Sequence, residues 1–157
     1  MKTPSLITVS LLAALLPMAA TAADTPEPAP AARAAPAPQP LAAAQAHIKA
    51  AQWGAAIDEL KRVNATGSAD WNNLMGYALR KQAKPDLDAA QKHYDMALKL
   101  NPRHQGALEY AGELALMKRD LATAEAHLAS LSKLCSTPCE PLDDLKTAVA
   151  AYKAAKR

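Results

Sequence analysis

Phenylalanine is absent from this chain of 157 residues, and its aromatic complement is two tryptophans and four tyrosines, 4% of the whole. Half of the residues are nonetheless hydrophobic, and alanine carries much of that share. Sheet-rich folds draw on aromatic and β-branched side chains, whereas alanine is the best helix former and is poor in strands. The composition therefore argues for closely packed helices. Cys135 and Cys139 are the only cysteines. Zinc normally takes four ligands and no second pair exists, and the spacing fits neither the CxxC redox motif nor the CxxCH haem-attachment motif. No glycine-rich phosphate loop is present, and Ser130, Ser132 and Ser136 lack a recognisable base arrangement. The sequence thus implies no catalytic constellation, no metal and no cofactor. The formal net charge is +3 with the basic residues spread out, which argues against a nucleic-acid footprint.

The apolar run at residues 6–16 is shorter than the roughly 20 residues of a membrane span. With Lys2 before it and Ala20-Thr21-Ala22 after it, it reads as an export signal cut after Ala22 or Ala23. The expectation is a signal peptide at residues 1–22, no membrane span after cleavage, and a periplasmic or secreted protein; a retained anchor is the alternative. Residues 23–40 read as a Pro/Ala-rich linker. Six of the twelve prolines fall there, at Pro26, Pro28, Pro30, Pro36, Pro38 and Pro40. Proline fixes φ and lacks an amide donor, so the segment should be an extended spacer. A ligand for a proline-binding module is the second reading.

From Leu41 onward the chain is periodic. Ala56, Ala90 and Ala124 stand 34 residues apart. Trp53, Leu87 and Leu121 precede them by three residues; Leu60, Tyr94 and Leu128 come four after. Val63, Ala97 and Leu131 come three further on. A fixed period of this length is the signature of stacked helical repeats, which bind other chains. Turn chemistry at residues 64–68, 84–86 and 101–102 divides the region into helices, with Asp70 expected to cap the helix after the first of these turns. Helix pairs are expected at 41–66, 69–102 and 103–136. Gly76 should face its partner helix near Ala90, and Gly112 near Ala124, because only small residues allow helices to approach closely there.

The run Asn72-Asn73-Leu74-Met75-Gly76-Tyr77-Ala78-Leu79 resembles the first helix of the tetratricopeptide repeat family. Asp86-Leu87-Asp88-Ala89-Ala90, then Tyr94, Ala97, Leu98 and Asn101-Pro102, is similar to its second helix and closing turn. Ala111-Gly112, Asp120-Leu121, Ala124, Leu128 and Leu131 repeat the pattern. The resemblance covers roughly residues 41–134. It departs from the family at the two-residue insertion Lys84-Pro85, at Ala43-Ala44 in the first unit, and at Ser136 where a proline closes the repeat. The resemblance implies an all-α, right-handed superhelical stack of antiparallel helix pairs.

It also implies a concave face built from the first helix of each pair. Asn73, Tyr77, Arg80 and Lys81 would be exposed there from the middle unit, Glu109, Tyr110 and Glu113 from the next, and Gln45 and Lys49 from the first. Tyrosines with both signs of charge suit a peptide groove. The places that would grip a peptide's terminal carboxylate in some family members hold Leu41, Gln45, Leu74, Gly106 and Tyr110, so that mode is not expected. The functional reading is a non-catalytic scaffold in the cell envelope that binds a protein or peptide. The alternatives are a self-associating assembly subunit and, less favoured, a metal carrier using His93 and His127, which are 34 residues apart and otherwise read as solvated on an outer face.

Residues 140–155 read as a terminal helix with Leu142, Leu145, Val149 and Tyr152 on one face. Stacked repeats need a cap with a polar outer side; a partner-binding helix is the alternative. In an exported chain the nearby pair Cys135 and Cys139 reads as a structural disulfide, across a turn bent by Pro138. Free thiols and a metal or redox role remain the other options.

Overall fold

The computed structural model describes residues 40–136 and 138–156. The proposed signal peptide and all but the last residue of the proline-rich linker lie outside the described residues. Within them the chain is helix after helix: α1 (Ala42–Lys49), α2 (Trp53–Val63), α3 (Ala69–Lys81), α4 (Leu87–Leu100), α5 (Gln105–Met117), α6 (Leu121–Leu134) and α7 (Glu140–Ala154). Consecutive helices pack in pairs, α1 with α2, α3 with α4 and α5 with α6, and each pair leans on the next. This is an all-α, solenoid-like stack, and α7 closes its end. Among the described residues no helix is long and apolar enough to cross a membrane.

The periodic alanines lie where the helices meet. Ala56, Ala90 and Ala124 are each 0% exposed. A side chain of this size lets two helix backbones approach while larger residues one turn away, Leu60 and Tyr94 among them, fill the space. Gly76 serves the same end in α3: a Cβ there would stand 2.7 Å from the Tyr94 ring and 3.1 Å from the Ala90 carbonyl. For Gly112 the expected neighbour needs correcting. A Cβ at Gly112 would meet Leu145 of α7 first, at 2.6 Å, rather than Ala124. The terminal helix occupies the place a further first helix would take, and it presses on the small residue of α5.

The helix starts also repeat. Asp86 and Asp120 share nearly the same backbone, φ −96° and ψ 84° against φ −98° and ψ 82°. Each carboxylate accepts a hydrogen bond from a backbone N–H three residues on, Ala89 at 2.9 Å and Thr123 at 3.0 Å. Gln52 holds the same register ahead of α2 but makes no capping bond. Ahead of α3 the cap is Ser68, which accepts from the Trp71 N–H at 3.2 Å, and not Asp70. Ser68 has the extended backbone a capping side chain needs, whereas Asp70 already lies inside the helix. The freed Asp70 carboxylate accepts instead from His104 Nε2 at 2.9 Å, while His104 Nδ1 caps α5 by accepting from the Ala107 N–H at 3.1 Å.

Turns within pairs explain the insertion. Three residues join α1 to α2 and three join α5 to α6, with Ala51 and Arg119 in the left-handed conformation at φ 55° and 66°. In the middle pair that register falls on Pro85, whose ring forbids positive φ. Five residues, 82–86, carry the chain round instead.

Trp71 locks the first two pairs together by donating its indole N–H to the Leu60 carbonyl at 2.7 Å. At the other end Leu145 and Val149 are buried, and Leu142 and Tyr152 pack with them against Leu108, Leu116 and Leu131. The histidines differ from expectation. His93 lies edge-on to Trp71 at 5.6 Å with Nδ1 3.1 Å from Asn72 Oδ1, and burial lowers its pKa. His127 is likewise half-buried, and burial lowers its pKa too. Both sit beside seams between packed helices rather than on an open outer face.

Candidate functional site

The first helices α1, α3 and α5 run side by side, and α7 continues the row beyond α5. Between α3, α5 and the start of α7 lies a groove of about 380 Å³. Seven of the nine residues expected on the concave face line it: Asn73, Tyr77, Arg80 and Lys81 from α3, and Glu109, Tyr110 and Glu113 from α5. Residues three, four and seven apart share one helix face, so these spacings place each set on a single side. Gln45 and Lys49 of α1 are exposed but stand outside this groove.

Their exposure departs from expectation. Asn73 and Arg80 are each only 8% exposed and Glu109 only 6%. Tyr77, Tyr110 and Glu113 are half-buried, and Lys81 alone is open to solvent. A first helix in the interior of the stack is flanked on both sides, so its concave residues are held by neighbours as much as they are presented.

Aromatic rings form a connected row. Trp53 meets Tyr77 edge-on at 5.9 Å between centroids, and Tyr77 meets Tyr110 at 4.6 Å with the planes tilted by 42°. The Arg80 guanidinium lies 5.5 Å from both tyrosine rings and 2.6 Å from Glu113 Oε2. Cation–π attraction and the ion pair fix it between consecutive units. Lys81 Nζ stands 5.8 Å from the Tyr77 ring. Burial raises the Tyr77 and Tyr110 hydroxyls above the ordinary tyrosine value, so both rings stay neutral. Glu109 is pushed up to about 7, first by burial and then by the charges of Glu113, Asp144 and Glu140, with Arg80 opposing.

Sequence reasoning missed part of the wall. Glu140, Pro141 and Asp144, at the start of α7, line the same groove. The apolar face Leu142, Leu145, Val149 and Tyr152 showed that α7 packs on the stack, but not which edge of its first turn reaches the groove. Trp53 was read only as a packing residue of α2, yet its ring extends the tyrosine row. Cys135 and Cys139 are bonded to one another. The helix stops at Leu134 and Cys139 has the extended backbone of a helix cap, so the bond ties the end of α6 to the start of α7. Among the described residues no serine, cysteine or histidine lines the groove. It offers ring faces, one fixed guanidinium and an acidic rim, a surface suited to holding a chain by stacking and charge.

No family model matches the sequence, and no curated protein matches it. Solved structures are similar to it. The Yersinia enterocolitica type III secretion translocator chaperone SycD has a TM-score of 0.64 at 19% identity, over 75% of this chain and 83% of that one. The same chaperone in complex with a peptide of the translocator YopD has a TM-score of 0.62 at 17% identity, over 76% and 93%. At these identities the likeness shows the fold, an all-helical stack.

Proposed function

We propose that this protein is a non-catalytic scaffold of the tetratricopeptide kind that holds an extended segment of a partner protein in the groove between α3 and α5. The observation that carries the reading is the row Trp53, Tyr77 and Tyr110 with Arg80 fixed against its two tyrosines. Tyrosine, tryptophan and arginine supply most of the energy at binding surfaces when they are central and held rigid. The middle unit is central here, with neighbours on both sides. That one of the similar solved structures carries a bound peptide supports the same reading. The export signal read at residues 1–22 supports a site of action in the periplasm or outside the cell.

Replacing Tyr77 and Tyr110 together by Ala should abolish capture of the partner from envelope extract. Lys92→Ala with Lys99→Ala, on exposed positions of α4, should leave capture intact, with equal helicity in both variants. Loss of capture by the α4 pair alone would reject the groove. N-terminal sequencing of exported material should begin at Ala23 or Asp24; intact Met1 in a cytoplasmic pool would reject the location.

A second reading is favoured by Met96 and Leu100, exposed one helical turn apart on α4. An apolar pair of this kind suits self-association. Light scattering separates the two: a concentration-dependent dimer lost in Met96→Lys with Leu100→Lys would support assembly through this face.

A further inference from the structure

Charge in the groove is unevenly answered. Glu113 is matched by Arg80. Glu109, only 6% exposed, has no ion pair with any basic side chain among the described residues. Asp144 stands on the same groove wall, exposed. Glu140 shares that wall but also offsets the positive end of α7, so the surplus rests on Glu109 and Asp144.

A second observation is independent of the carboxylates. Asn73 is only 8% exposed, lines the same groove, and its Oδ1 is buried without a hydrogen-bond partner. A buried acceptor left unmade costs free energy that a ligand's donor would recover. Asn73 Oδ1 and the carboxyl oxygens of Glu109 and Asp144 can all accept hydrogen bonds, and both carboxyl groups can carry negative charge beside a cation. The complementary group is a cation bearing several N–H donors.

We propose that the α5–α7 end of the groove is a subsite for a basic side chain, in which Glu109, Asp144 and the Asn73 amide oxygen receive a lysine or arginine of the bound peptide. The proposal rests on the peptide-binding reading and adds to it the chemistry of one peptide position. Tyr77, Tyr110 and the fixed Arg80 would hold the neighbouring part of the peptide by stacking. A cation beside Glu109 would also stabilise its ionised form, which burial and the adjacent carboxylates otherwise disfavour.

The test is a positional peptide library of nine-residue probes, one position fixed and the rest randomised, passed over the immobilised protein and read by sequencing the retained pool. Wild type should enrich arginine and lysine over alanine at one position by about tenfold, the scale of one charge-assisted bond. Glu109→Gln with Asp144→Asn should bring that enrichment close to unity while leaving apolar selection at other positions. Asp144→Asn alone alters only an exposed side chain and should lose part of it, which guards against misfolding of the double variant. A wild-type pool with no basic preference, or with an acidic one, would overturn the subsite and leave peptide binding standing. So would an enrichment that survives the double variant. Retention of no peptide by wild type would overturn the peptide-binding reading itself.

Discussion

Arg80 of α3 and Glu113 of α5 are joined at 2.6 Å, and the ion pair links consecutive first helices across the groove floor. The guanidinium is almost fully buried and lies against two tyrosine rings, so it organises the face it belongs to.

Arg80→Ala should therefore cost stability as well as binding. It strands Glu113 in a half-buried place and removes two cation–π contacts, for a loss of about 2 kcal/mol. Lys81→Ala, on an exposed neighbour, should stay within about 0.5 kcal/mol. Urea unfolding of the two variants checks this; equal midpoints would show that Arg80 is not the linking residue.

Glu109 predicts a pH dependence. Its folded-state pKa is raised from 4.5 to about 7, so between these values the native state binds more protons than the unfolded one. Stability from this group is present below its unfolded pKa and is lost as pH rises through about 7. Glu109→Gln should remove that slope, gaining on wild type at pH 8 relative to pH 5. Parallel melting-temperature curves for the two proteins across that range would contradict it.

Gln52 occupies the register that Asp86 and Asp120 use for capping, without making the bond. Gln52→Asp should stabilise the first pair by about 0.5–1 kcal/mol, through a new cap and favourable charge at the start of α2. A chemical-denaturation midpoint that does not rise would show that the three helix starts are not equivalent.

The disulfide predicts a modest effect on stability. So short a loop restricts the unfolded chain by about 2 kcal/mol at most. Reduction, or Cys135→Ser with Cys139→Ser, should lower the melting temperature accordingly and increase hydrogen exchange at the first turn of α7, which carries Glu140. Unchanged exchange there would mean that packing of Leu145 and Val149 alone holds the helix start.

The repeat was legible because its constraints are local in sequence. A fully buried alanine and a helix-capping aspartate recur at fixed spacing, and spacing can be read without coordinates. Positions 73, 77, 80 and 81 come from the same logic, since a helix face is a sequence pattern. Burial on that face was not legible, because it depends on how closely the next helix approaches. Asn73, Arg80 and Glu109 looked exposed when each helix was read alone, and they become buried once the helices stack. The role of α7 was hidden for a related reason. Leu142, Leu145, Val149 and Tyr152 announce a packing face, but nothing in the pattern says that the opposite edge of the first turn brings Glu140 and Asp144 to the groove. His93 and His127 were misread because the seams between helix pairs are made by contacts across units.

The central claim is that the concave side of α3 and α5 holds a partner segment. It is tested most directly by placing a benzophenone photo-crosslinking amino acid at Lys81 on the groove rim, or at Lys99 on the exposed face of α4, in cells that make this protein. Both positions are exposed, so neither replacement disturbs the core. The account predicts that irradiation links the Lys81 probe to one discrete segment of another protein, identified by mass spectrometry, and that the Lys99 probe gives no such product. Crosslinks from Lys99 to a partner, with none from Lys81, would contradict it.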